Sequence, residues 1–191
     1  MNEPANCDLA NATALPAPTG DVIVIDEQVL ADLCNKARSN RRRRIILPLH
    51  KSLAATTHRM LNAIQPDSYI PPHRHLDPPK SESVIVLQGV LVVFVFDLKG
   101  NITAMHRLAH SSPQFGIDIA SGLFHTFVAM VADTVIFEVK PGPYEQTSDK
   151  DIALWAPCAD SPAARDYLTM LHNQAGSSRG GSKGSDPVDH P

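Results

Sequence analysis

The sequence predicts an all-β protein, a sandwich or closed barrel, with a helix added at each end. From Arg59 to Ile136 the apolar residues come in short runs parted by turn residues, at the regular spacing of small antiparallel folds. Upstream, Val29, Leu30, Leu33, Cys34 and Ala37 fall on a single helical stripe. Downstream, Ser161-Pro162 pairs an N-cap residue with a proline suited to the first helical position.

Each element has its own warrant. Val22 to Ile25 reads as a short strand, and Asp26 as the N-cap of the first helix. Arg38 and the run Arg41 to Arg44 close that helix or open the next loop. Cations there complement the helix dipole; the alternative is an anion pocket for a phosphate or an acidic sugar. Met60 to Ile64 is a strand, and after Gln-Pro-Asp-Ser the pair Tyr69-Ile70 leads into a histidine-rich segment. Val84 to Leu87 and Leu91 to Phe96 flank Gln88-Gly89, and Asp97-Leu-Lys-Gly-Asn makes a hairpin before Ile102. Phe124 to Met130 and Thr134 to Val139 flank Val-Ala-Asp, and Pro141-Gly142-Pro143 ends the sheet region. Tyr167, Leu168 and Leu171 form the apolar face of the last helix. Residues 1–20, rich in Ala, Asn and Pro, read as a disordered leader, residues 21–172 as one domain, and the Gly/Ser/Lys-rich residues 173–191 as a disordered tail.

A chain of 191 residues can bury a proper core as one domain. A net charge of −3 gives no basic footprint for nucleic acid or membrane surfaces. The longest apolar run, Val90 to Phe96, is strand-sized, so no membrane span is expected. The N-terminus lacks the basic and apolar regions of a secretion signal. Cys7, Cys34 and Cys158 are scattered and odd in number, which fits neither a disulfide framework nor a thiolate metal site and agrees with a cytoplasmic setting.

The chemistry concentrates between His73 and Gly89. His73 and His75 project from one face of an extended strand and Arg74 from the other, because side chains alternate. Glu82 lies in phase with Val84 and Val86, and His125 in phase with Phe127, so all four reach the interior. A lone His-x-His is as compatible with ordinary surface or core histidines. Pro71-Pro72 restrains the chain before the pair, and an acid and a third imidazole in the same strand-rich region favour a divalent metal with open positions. Nitrogen and oxygen donors without thiolate suit Zn, Fe, Mn, Ni or Co, and exclude a closed thiolate zinc site. His50, His58, His106, His110 and His172 have no such company.

The order His-x-His, Glu, Gly, then Gly-x-x-His resembles the two motifs of the cupin superfamily, a small antiparallel jelly-roll barrel. That resemblance implies a metal held by His73, His75, Glu82 and His125. Six residues separate His75 from Glu82, more than is usual there, and Ala120 and Ala129 stand where the second motif has Pro and Asn. The stretch Pro72-His-Arg-His-x-Asp-Pro-x-Lys80-x-Glu82 is more specifically similar to the WbuC family. So are the Arg-rich segment before Leu49-His50, Met60 to Ile64, and Phe137-Glu-Val-Lys-Pro-Gly-Pro-Tyr144. These cupin-fold metalloproteins are associated with O-antigen and other surface-polysaccharide synthesis. Ser81 stands where that family has Trp, which removes an aromatic wall.

The resemblance implies a small carbohydrate-like or anionic ligand, a sugar or nucleotide sugar, and a metal-dependent isomerisation or oxidation. Lys80, Tyr69, Tyr144 and Arg74 are candidates to orient that ligand or move protons, although Arg74 points away from the metal by alternation and Tyr144 could cap the barrel. A non-catalytic carbohydrate-binding or regulatory module is the alternative. A metal-free epimerase with a His base and Tyr acid is a third reading. The two-sided apolar strands from Val84 to Phe96 predict cover for the outer face by the N-terminal helix, a second sheet or a partner subunit, and a homodimer is the expected assembly.

Overall fold

Two antiparallel sheets, packed face to face, are built from the turn-punctuated region. The structure, a computed structural model, describes residues 12–144 and 150–177. In chain order these form α1 (Glu27–Ser39), β1 (Arg44–Pro48), β2 (Thr57–Ile64), β3 (His73–Arg74), β4 (Glu82–Gln88) and β5 (Val90–Phe96), followed by β6 (Ile102–Ala109), β7 (Gly116–Ile119), β8 (Phe124–Ala129), β9 (Thr134–Pro141), β10 (Asp151–Ile152) and α2 (Pro162–Ser177). One sheet has the order β1-β2-β9-β4-β7 and the other β10-β3-β8-β5-β6. Without the edge strands β1 and β10, the orders 2-9-4-7 and 3-8-5-6 are those of a jelly roll, two interleaved Greek keys. The all-β, jelly-roll expectation with terminal helices is met.

Alternation along each strand sorts the side chains into layers. Val84, Val86, Leu91, Val93, Phe127, Ala129 and Ile136 fill the space between the sheets. Asp26 caps α1 by accepting from the Val29 amide at 3.0 Å, and Leu33, Cys34 and Ala37 pack on Ile45, Leu61 and Ala63 behind the first sheet. Behind the second sheet, Val92, Phe94 and Phe96 are covered by Leu168, Leu171 and Ala175 of α2. The two apolar faces of β5 thus have an intramolecular explanation. Leu87 packs on the α1 side, while Ile85 is 43% exposed. With that cover supplied by the chain itself, the apolar pattern gives no argument for a homodimer.

Two elements depart from expectation. Val22 to Ile25 is not a strand, and Val22 and Val24 are exposed. Of the run Arg41 to Arg44, expected to close the helix or open a loop, Arg41 to Arg43 form the turn after α1, while Arg44 begins the edge strand β1, where Ile45 faces α1 and Pro48 is tolerated at the strand end. The described chain beyond residues 21–172 also makes contacts: the Leu15 amide donates to the Ile46 carbonyl at 2.8 Å, and α2 runs on to Ser177. Residues 1–11 and 178–191 lie outside the described residues. Gly89, between β4 and β5, has φ 81°, and a Cβ there would lie 2.6 Å from Thr134 Oγ1. Only glycine suits that turn. Among the described residues, no helix is long and apolar enough to cross a membrane. Cys34 is buried and Cys158 exposed, both as free thiols.

The layering predicts a sharp contrast in stability. Leu171→Ala, which opens a cavity under α2, should cost about 2–5 kcal/mol in urea unfolding. Leu154→Ala, at a fully exposed position, should stay within about 0.5 kcal/mol. Equal effects at the two sites would contradict the α2 packing.

Candidate metal centre

Three imidazoles from one sheet and a carboxylate from the other meet inside the sandwich. His73 on β3 pairs directly with His125 on β8, which puts the two rings side by side on one face, centroids 4.7 Å apart. His75 follows two residues on, and Glu82 enters from the first residue of β4 in the opposing sheet. The longer spacing from His75 to Glu82 is thus the crossing from sheet to sheet. Gly122, at φ 81°, donates its amide to the His75 carbonyl at 3.0 Å and so ties the turn before β8 to the histidine strand.

All four side chains are buried, and they offer ligand atoms lying within 4.8 Å of one another. His75 Nε2 is 3.1 Å and His125 Nε2 3.5 Å from Glu82 Oε2. Second partners fix two of the rings. His73 Nδ1 contacts the Pro71 carbonyl at 3.0 Å, and His125 Nδ1 the Leu123 carbonyl at 2.9 Å. A carbonyl only accepts, so each Nδ1 carries a proton, which leaves each Nε2 as the ring atom that can turn a lone pair on a cation. Neither Nε2 has a hydrogen-bond partner, although both are buried. Such orphaned groups cost about 1–3 kcal/mol each, and a native structure needs a reason for them. A divalent cation held by these nitrogens and the carboxylate would supply that reason. The residues present fit such an ion, and the backbone carbonyls behind the rings are the outer partners that metal-ligating histidines use.

Electrostatics point the same way. Burial holds His73 well below the usual imidazole range, with the charges of Lys150 and His125 adding to the effect, so its ring stays neutral. Burial acts to raise the Glu82 carboxyl, yet the imidazoles of His125 and His75 outweigh it and hold the acid well below its ordinary range. A neutral imidazole and an ionised carboxylate are the forms that bind a cation.

The other sequence candidates have partners of their own. Tyr69 donates its hydroxyl to the Pro157 carbonyl at 3.0 Å and packs edge-on to Tyr167, in the layer under α2. Lys80 is buried, with its ammonium on the Pro143 carbonyl at 2.7 Å. Arg74 projects outward, pairs with Asp151 at 2.7 Å and lies over the Phe124 ring. Tyr144 is partly exposed, with its phenol acting on Arg42. His50 and His58 stack on each other at 4.0 Å and bind backbone carbonyls.

Sequence reasoning missed the polar residues that extend the centre along the first sheet. Glu138 of β9 is buried, accepts from Asn62 Nδ2, and lies 3.6 Å from Lys140 Nζ. Burial first, then the charge of Glu82, push its carboxyl up to about 7. The available signal was Glu138 and Lys140 alternating with Phe137 and Val139, a pattern that ordinarily marks charges facing water. Here α1 covers the face carrying Phe137, so the charged face turns inward.

Comparisons with known proteins fall short of a family assignment. Residues 25–108 match the model of a family described as a domain of unknown function (DUF6016), a span that includes His73, His75 and Glu82 but not His125. No curated protein matches the sequence. Among solved structures, a conserved protein of unknown function from Streptococcus pyogenes is similar at 15% identity and TM-score 0.46, covering 66% of this chain and 92% of that one. L-ribose isomerase from Cellulomonas parahominis is similar at 19% identity and TM-score 0.46, covering 59% and 70%. The capsular polysaccharide assembling protein CapF from Staphylococcus aureus is similar at 16% identity and TM-score 0.46, covering 56% of this chain. This chain spans only 28% of CapF.

The raised pKa of Glu138 has a testable sign. A carboxyl pushed up to about 7 when folded, from an ordinary value of 4.5 when unfolded, favours folding only while protonated. Between those values, rising pH removes stability. In metal-free protein, Glu138→Gln should therefore gain stability over wild type as pH rises from 5 to 8 (about the span of this titration), read by chemical unfolding at each pH. A pH-independent difference would contradict the buried-acid assignment.

Proposed function

We propose that this chain is a cupin-type metalloprotein, akin to the WbuC family, that acts on a sugar or nucleotide-sugar intermediate of surface-polysaccharide synthesis. The observation that carries the metal is the pair of buried Nε2 atoms, of His73 and His125, that face Glu82 and His75 without a hydrogen-bond partner of their own. Nitrogen and oxygen donors without thiolate suit Fe, Zn, Mn, Ni or Co. The sugar and the polysaccharide setting rest on the sequence resemblance around residues 72–82 and 137–144.

A bound divalent ion would polarise a hydroxyl or carbonyl oxygen, or acidify a water. The chain's own residues would do the rest. His73 and His125 keep fixed tautomers through the Pro71 and Leu123 carbonyls, and so hold the ligand set rigid. Glu138, buried with its carboxyl pushed up by burial and by Glu82, would be the group to take or return a proton at a substrate carbon or hydroxyl. Asn62 and Lys140 orient its carboxylate. Isomerisation of a sugar needs such a proton shuttle, and the inward face of β9, with Glu138 and Lys140, would provide it.

Protein reconstituted with each metal in turn should bind and convert at least one member of a nucleotide-sugar panel. His73→Ala should abolish conversion while ligand binding survives. Neither binding nor turnover across the panel would sink the reading; binding without turnover by wild type would assign the chain to the non-catalytic carbohydrate-binding modules.

A further inference from the structure

A groove between β1 and α2 has no part in the chemistry above. It encloses about 1120 Å³ and is lined by Arg41, Arg42, Arg44 and Arg165, with Tyr69 and Leu168 as apolar walls. That volume exceeds what a lone inorganic ion would fill and is in the range of pockets for small organic ligands.

The charges in the groove are unevenly matched. Asp160 lies 3.4 Å from Arg41, and Asp67 is engaged by Arg43 at 2.8 Å. Asp166 lines the groove as a third carboxylate. Among the described residues, no carboxylate pairs with Arg42 or Arg44. Arg44 donates to neutral oxygens only, Ser68 Oγ at 3.0 Å and the Tyr69 carbonyl at 2.8 Å. Burial, then the like charge of Arg42, push its guanidinium down to about 9. Two neighbouring, largely desolvated cations without a counter-charge are costly unless an anion joins them.

We propose that this groove binds the phosphate of a sugar phosphate or nucleoside-diphosphate sugar, seated between Arg42, Arg44 and the first turn of α2. A guanidinium fork matches phosphate oxygens two at a time. The start of a 16-residue helix adds the favourable end of its dipole to the same space. The Arg41–Asp160 pair is exposed on both sides and is easily opened by an entering anion. The phosphate assignment stands on the groove alone; the sugar attached to it rests on the function proposed above.

Calorimetric titration of the full chain with inorganic pyrophosphate at low ionic strength tests this. Binding should saturate, weaken with added salt, and fall about tenfold or more in Arg42→Gln. Tyr144 is a neighbour of the Arg42 guanidinium, and the substitution leaves all four candidate metal ligands in place. Arg165→Gln, on α2, should weaken binding in parallel, whereas His73→Ala should bind pyrophosphate as wild type does, even if the metal reading fails. No saturable binding by wild type would overturn the assignment, as would equal affinity in Arg42→Gln or loss confined to His73→Ala. Glucuronate binding more tightly than pyrophosphate would replace phosphate with a carboxylate and overturn it too.

Discussion

The meeting of His73, His75 and His125 from one sheet with Glu82 from the other is the constraint on which the rest of the structure depends. Four polar side chains are placed where a jelly roll ordinarily buries aliphatic ones, between facing sheets. Without a shared partner, the buried Nε2 atoms of His73 and His125 cost about 1–3 kcal/mol each. With a cation between them, the same atoms join strands β3, β8 and β4 across the sandwich. The apolar contacts of Val84, Val86, Leu91, Val93 and Phe127 hold the other half of the interior and keep the ligands at fixed separations.

That division of the interior explains why both sheets need cover on their outer faces. A core shared with a charged centre buries less apolar surface, and α1 and α2 restore it by adding layers behind each sheet. The same covering turns β9 around. With Val135 and Phe137 facing α1, the alternate residues Glu138 and Lys140 face inward and enlarge the polar half of the barrel toward Asn62. Fold and chemistry are coupled there: the helix that stabilises the sheet decides which face carries the acid.

Most of the centre was legible in the sequence because it rests on alternation, which a local pattern reveals. His73 and His75 two residues apart, Glu82 in phase with Val84, and His125 in phase with Phe127 each needed only a strand. The terminal helices were legible for the same reason, through Asp26, Ser161-Pro162 and their apolar stripes. Other features depended on tertiary context. β1 was hidden because Arg41 to Arg44 dominates its start, and its strand character comes from pairing with β2. Val22 to Ile25 has strand-like composition but stays exposed and pairs with no strand. Glu138 stayed invisible because a charge alternating with Phe137 and Val139 looks solvent-facing until α1 is seen to lie behind it. The two apolar faces of β5 suggested a partner subunit, and α2 turned out to be that cover.

Diffraction from crystals of the chain purified without added metal, recorded on either side of metal absorption edges, tests the four-residue centre most directly. A single anomalous peak within bonding distance of His73 Nε2, His75, Glu82 and His125 Nε2 is expected. A structure in which those atoms bind only water or each other, with no metal in elemental analysis and none taken up on soaking, would contradict it.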